Sequence, residues 1–171
     1  MARYKREKFA TIVGYYPSGT TEVYELLGLY TPDSSYEWNP DMQTVTDVLG
    51  KTHGDIDKSE PVQTFDPHYI TKESSDVNDF DEYMFELVMT NKLEDINGKF
   101  NVYLVALFDD AGSSSSHVYT TYKHTGCTIV PTSIGGESYL GMPLEVRFSN
   151  KITTGTCATI DPDSFSFSAS S

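Results

Sequence analysis

His53-Gly54-Asp55-Ile56-Asp57 sets an imidazole and two carboxylates at alternate positions, and alternate residues of a strand share one face. Such a trio has the makings of a metal site. Zinc, however, takes four closely placed ligands, and the calcium-binding loop with its central Gly and closing Glu is absent. One wet strand face explains the trio more simply. A second candidate, Gly136-Glu137-Ser138-Tyr139-Leu140, approximates the turn that exposes a nucleophilic serine, but it lacks the last Gly and precedes a strand rather than a helix. His117 and His124 fall on opposite parities of their strand and do not converge. No glycine-rich phosphate loop occurs. Carboxylates are plentiful, yet none sits inside an apolar run that would raise its pKa for acid–base work. The expectation is a protein that is not an enzyme and that needs no metal or cofactor.

Charge is more informative than any short motif. The 171 residues carry 25 acidic against 12 Lys and Arg side chains, a net charge of -13. A polyanion such as DNA is repelled by that average, so a protein that grips phosphates is disfavoured. Between residues 31 and 67 the acids are Asp33, Glu37, Asp41, Asp47, Asp55, Asp57, Glu60 and Asp66, against Lys51 and Lys58. Residues 1–8 run the other way, with Arg3, Lys5, Arg6 and Lys8 against Glu7, and form a basic arm able to dock on an acidic surface of another copy. Hydrophobic content of 38% with 13% aromatic residues supplies enough burial to exclude a disordered acidic tail. The longest apolar run, 102–108, is about a third of what a membrane-spanning helix needs, so no span is expected. Residues 9–16 are too short and too soon broken by Pro17 for a secretion signal, which predicts a protein that stays in the cytoplasm after synthesis. Cys127 and Cys157 read as buried free thiols.

The elements that would position these residues are mostly strands. Alternation is clearest over 36–48, where Tyr36, Trp38, Met42 and Val48 oppose Glu37, Asn39, Asp41, Gln43 and Asp47. It recurs less cleanly over 55–65, with Gly50 and Gly54 marking a hairpin-like loop between. Residues 100–108 have no polar side and predict a strand buried on both faces. Further strands are expected over 9–13, 22–27, 117–130, 140–148 and 151–160. One helix, 76–91, carries Val77, Phe80, Tyr83, Met84, Leu87 and Val88 on a single face, with Ser75 or Asp76 as cap. It is expected to plug one open side of a β-barrel. Over 161–171, Phe165 and Phe167 alternate with serines, and a solvated tail and an arm adding a strand to a neighbouring subunit both remain open. A single domain over 1–171 is predicted, mainly β with one flanking helix.

Longer phrases carry a resemblance. Tyr36-Glu37-Trp38-Asn39-Pro40, Val45-Thr46-Asp47-Val48-Leu49-Gly50-Lys51-Thr52 and Glu60-Pro61-Val62-Gln63-Thr64-Phe65-Asp66-Pro67 resemble the major tail tube proteins of long-tailed phages and prophages of Gram-positive bacteria. Gly126-Cys127-Thr128-Ile129-Val130-Pro131-Thr132-Ser133-Ile134-Gly135-Gly136, leading into Met142-Pro143-Leu144, is similar to the same group. The resemblance implies a β-sandwich or barrel with one flanking helix, assembled as hexameric rings stacked into a hollow tube that conducts double-stranded DNA. Its implied partners are further copies of the chain and other tail proteins: tape measure, tail terminator, and baseplate or tip. The implied location is the virion tail, after assembly in the host cytoplasm.

A tube that passes DNA should not hold it, and an acidic wall keeps the polyanion mobile. Glu37, Asp41, Gln43, Asp47, Asp55, Asp57 and Gln63 are therefore expected to line the lumen, with the opposite parity packed on the core. Arg3, Lys5, Arg6, Lys8, Lys51, Phe165 and Phe167 are expected at contacts between rings or subunits. One alternative is the tube of a phage-derived bacteriocin or contractile injection device. Another is an acidic β-sandwich that serves as a binding or adhesion module.

Overall fold

The computed structural model describes residues 3, 5–29, 31–71 and 79–171. The described strands are β1 (Phe9–Tyr15), β2 (Val23–Leu27), β3 (Tyr36–Glu37), β4 (Pro40–Thr46), β5 (Thr52–Ser59), β6 (Val62–Phe65), β7 (Phe100–Asp110), β8 (Tyr119–Pro131), β9 (Leu144–Arg147), β10 (Ile152–Cys157) and β11 (Ser168–Ala169). Helices α1 (Phe80–Met89) and α2 (Leu93–Ile96) lie between β6 and β7. The fold is mainly β, and every strand pair is antiparallel.

The apolar run at the start of β7 dictates the centre. Phe100, Val102 and Leu104 face one apolar layer and Tyr103 and Val105 face another, all of them buried. Such a strand needs neighbours on both edges and cover on both faces. β1 and β8 supply the edges, with Ile12 opposite Tyr103 and Leu104 opposite Tyr122. β2 extends the sheet beyond β1. β8 is long enough to border β7 on one edge and two strands in succession on the other: β10 along its first half and β9 along its last four residues. The sheet forks there, continuing through β9, β6 and β3 on one branch and through β10 and β11 on the other.

Each face of the central strands has its own cover. On one, Phe80, Met84 and Leu87 of α1 pack with Tyr15, Phe100, Ile129 and Val146, and the rings of Tyr15 and Phe80 meet edge-on at 5.2 Å. On the other, Cys157 and Phe165 cover Ile12, Tyr103 and Val105, and the Phe165 ring stands 5.1 Å from that of Tyr103. Both cysteines are free and buried, and burial pushes their thiols up from the ordinary range.

Several sequence expectations change in detail. The helix is capped by Asp79, whose side chain accepts from the Asp81 amide; the expected caps Ser75 and Asp76, and Val77, lie outside the described residues. The single long strand over 36–48 is broken at Asn39, whose φ of 46° takes the chain out of the extended region while its side chain donates to the Glu60 carbonyl. Pro61 likewise separates β5 from β6. The turn between β4 and β5 spans 47–51, and Gly54 lies within β5. Within the C-terminal segment β11 pairs with β10 of the same chain and Phe165 is buried with Ile12, Tyr103 and Val105, while most of the other residues of 161–171 are exposed.

Candidate functional site

β4 and β5 pair only with each other and form a ribbon apart from the main sheet. Its turn is built by one side chain. Asp47 Oδ1 accepts from the amides of Leu49 and Lys51, and Oδ2 meets His53 Nε2 at 2.9 Å. These contacts, His53 foremost, hold the Asp47 carboxyl below its ordinary pKa. Gly50 has a φ of 75°, a conformation that a residue without Cβ takes at no steric cost.

Pairing register sorts the ribbon into two faces. Gln43 stands opposite Asp55 and Val45 opposite His53, while Met42 stands opposite Ile56 and Thr44 opposite Gly54. Gln43, Val45, His53 and Asp55 therefore share one face, with Asp41 and Asp47 towards its ends and Asp57 beside Asp55 where the register shifts between Met42 and Pro40. The other face carries Met42 and Ile56. Neither is packed. Met42 is 71% exposed, Val45 52% and Ile56 45%, and at the tip Val48 and Leu49 are 101% and 78% exposed. The expectation that the apolar parity rests on the core is overturned: the ribbon stands clear of the chain's own core, so both of its faces are surface.

The remaining predicted residues are dispersed. Glu37 lies on β3 in the main sheet, exposed. Gln63 belongs to no surface of this chain. It is fully buried, accepting from Thr11 Oγ1 at 3.0 Å and donating to Ser34 Oγ at 3.1 Å, because β6 lies between β9 and β3 in the main sheet and its expected wet face is covered. Lys51 is exposed at the ribbon's turn, and Arg3, Lys5 and Lys8 are exposed before β1. Arg6 lies in a short 3-10 turn. Phe165 is buried and Phe167 half-buried beside Tyr103 in their own chain.

A cleft of about 1000 Å³ opens where the ribbon leaves the body, lined among others by Asp41, Lys58, Glu60, Arg147 and Phe148. Three of these charges are already paired: Lys58 meets Glu60 at 2.7 Å, and Arg147 meets Glu145, two residues before it, at 2.6 Å. Elsewhere carboxylates join elements together. Asp81 receives His68 Nε2 at 2.7 Å and the Thr71 amide at 2.9 Å, and Glu22 receives Asn101 Nδ2 at 2.7 Å and the Tyr103 hydroxyl at 3.0 Å. Burial pushes the Tyr103 phenol well up. Among the described residues, no group of His, Cys, Asp and Glu is arranged to hold a metal ion. The arrangement suits docking, because its distinctive feature is a polar and apolar ribbon with no partner in the chain. Sequence reasoning missed the exposure of Met42, Val45 and Ile56, since alternation does not show whether the chain covers either face.

No family model matches the sequence, and no curated protein matches it. Among solved structures, the chain is similar to the sheath/tube terminator of an extracellular contractile injection system, PVC, in its extended state, with a TM-score of 0.48, 10% identity and coverage of 90% of this chain and 97% of that one. It is similar to the sheath–tube complex of the same system with a TM-score of 0.48, 10% identity and coverage of 90% and 92%. It is also similar to the tube-terminating cap of the anti-feeding prophage, with a TM-score of 0.47, 11% identity and coverage of 91% and 93%. At such scores and identities the likeness assigns neither a family nor a function.

Proposed function

We propose that this chain is a structural subunit of a phage-type tail tube, assembling with copies of itself into stacked hexameric rings whose bore conducts double-stranded DNA. The unsupported β4–β5 ribbon carries the reading. An isolated two-stranded ribbon is at best marginally stable in water, and one that presents Met42, Val45, Val48, Leu49 and Ile56 to solvent is unfinished until another surface covers it. Its opposite character supports the rest of the reading. The face bearing Gln43, Asp55 and Asp57 is suited to line a channel for a polyanion, while the Met42–Ile56 face is suited to pack on a neighbour. The phrases 36–40, 45–52 and 60–67 that resemble major tail tube proteins cover the turn of this ribbon and its two flanks.

Electron microscopy of the purified protein tests the proposal. Wild-type protein is expected to form rings or tubes of uniform bore, and Val48→Asp combined with Leu49→Asp is expected to remain monomeric with an unchanged Tm. Wild type that stays monomeric at high concentration would overturn the reading.

A further inference from the structure

A second surface fits a second copy, and it gives assembly a direction. The exposed side of α1 carries Phe85, Glu86 and Met89, and Leu93 opens α2 after the turn at Asn91; Phe85, Met89 and Leu93 are 36%, 57% and 56% exposed. Phe85 and Met89, four residues apart, share a face of α1, and Glu86 lies three residues before Met89. The segment 79–95 holds six acids and one lysine, and Glu86 and Glu94 are exposed beside the apolar stripe. The exposed Lys5 and Lys8 lie at the other end of the same strands. They precede Phe9, the start of β1 paired with Ala106, whereas α1 packs against Tyr15, the end of β1, and Phe100, the start of β7. At about 3.3 Å per residue, the seven residues of β1 separate the two ends by ~20 Å.

We propose that the basic residues 3–8 of one copy dock on the α1–α2 stripe of the next, so that copies add head to tail. The inference deepens the tube reading and rests on it. Lysine and arginine suit this surface because their aliphatic stems can cover Phe85, Met89 and Leu93 while their charged heads reach Glu86 and Glu94. Within one copy Lys5 meets Glu7 at 3.7 Å and Glu86 meets Lys92 at 3.9 Å, exposed pairs that are worth little, and the basic and acidic patches at opposite ends do not reach each other. They join different copies in a heterologous contact, which propagates instead of closing as a two-fold dimer.

Two charge-reversed variants test it: Lys5→Glu with Lys8→Glu, and Glu86→Lys with Glu94→Lys. Each alone is expected to raise the protein concentration needed for assembly, read by light scattering, by on the order of tenfold or more, with Tm unchanged. Mixed in equal amounts, the two should assemble together near the wild-type concentration, because each supplies the complement of the other's altered end. Wild type that assembles while both variants assemble equally well alone would overturn this inference and leave the tube reading standing. So would variants that fail alone and also fail when mixed. Wild type that does not assemble under any condition would overturn both.

Discussion

His124 sits on β8 with its ring 4.9 Å from that of Phe148 and its Nδ1 3.1 Å from the Ser149 carbonyl oxygen. Burial disfavours the charged imidazolium and lowers its pKa, and the bond to Ser149 offsets this only in part. In the unfolded chain the imidazole takes up a proton near pH ~6.5, which the folded chain resists. Its contribution to stability is therefore complete above that pH and declines as the pH falls below it. Three other histidines, His53, His68 and His117, each face a carboxylate, at 2.9, 2.7 and 2.7 Å. A difference measurement isolates His124. Wild type is expected to lose more Tm than His124→Gln between pH 7.5 and pH 5.5, a range chosen to span about one unit on each side of the free imidazole. Parallel profiles would mean that His124 takes up its proton as readily in the fold as in the unfolded chain. At the same scale, Gln63 shows how a polar residue read as surface becomes interior: Thr11 and Ser34 satisfy its amide, so its burial carries no unsatisfied group.

The β4–β5 ribbon behaves as a unit of its own. Asp47 organises its turn through three contacts, as short side-chain acceptors do when they take up nearby amides. Because none of the ribbon's apolar residues belongs to either buried cluster, loosening the turn should leave the body untouched. Asp47→Ala is expected to speed amide hydrogen exchange throughout β4 and β5 while β1, β7 and β8 keep their protection and the Tm stays unchanged. A lowered Tm would show that the ribbon supports the body. The elements most legible in the sequence were those whose burial is set within the chain. β7 announced itself by having no polar side, and α1 by the spacing of Phe80, Met84 and Leu87. The ribbon was legible as two alternating strands, and its turn as a pair of glycines, but not as a free-standing piece. Alternation states that a strand has two faces, and says nothing of whether the chain itself covers either. The break at Asn39 was invisible for a related reason, since it depends on a bond to Glu60 twenty-one residues away. The fate of 161–171 likewise depended on a long-range partner, the edge of β10.

For the whole molecule, a net charge of -13 is a statement about what can pass as well as what can bind. The proposed tube places the ribbon face with Gln43, Asp55 and Asp57 towards its bore. Asp47 is the poor choice for testing that placement, because reversing it would dismantle the turn. Asp57 is exposed on β5 and makes no contact on which the turn depends, so its charge can be reversed with the ribbon intact. Preassembled wild-type tubes are expected to leave double-stranded DNA unbound even at low salt. Tubes of Asp55→Lys with Asp57→Lys should retain it, and that retention should weaken steeply as salt rises, because each new phosphate contact releases a condensed counterion. The same substitutions, carried by particles that eject DNA, should slow ejection while ring assembly persists. If the variant tubes form normally and remain indifferent to DNA at every salt concentration, these acids face away from the bore, and the charge belongs to the outside of the tube, where it would keep neighbouring tubes apart.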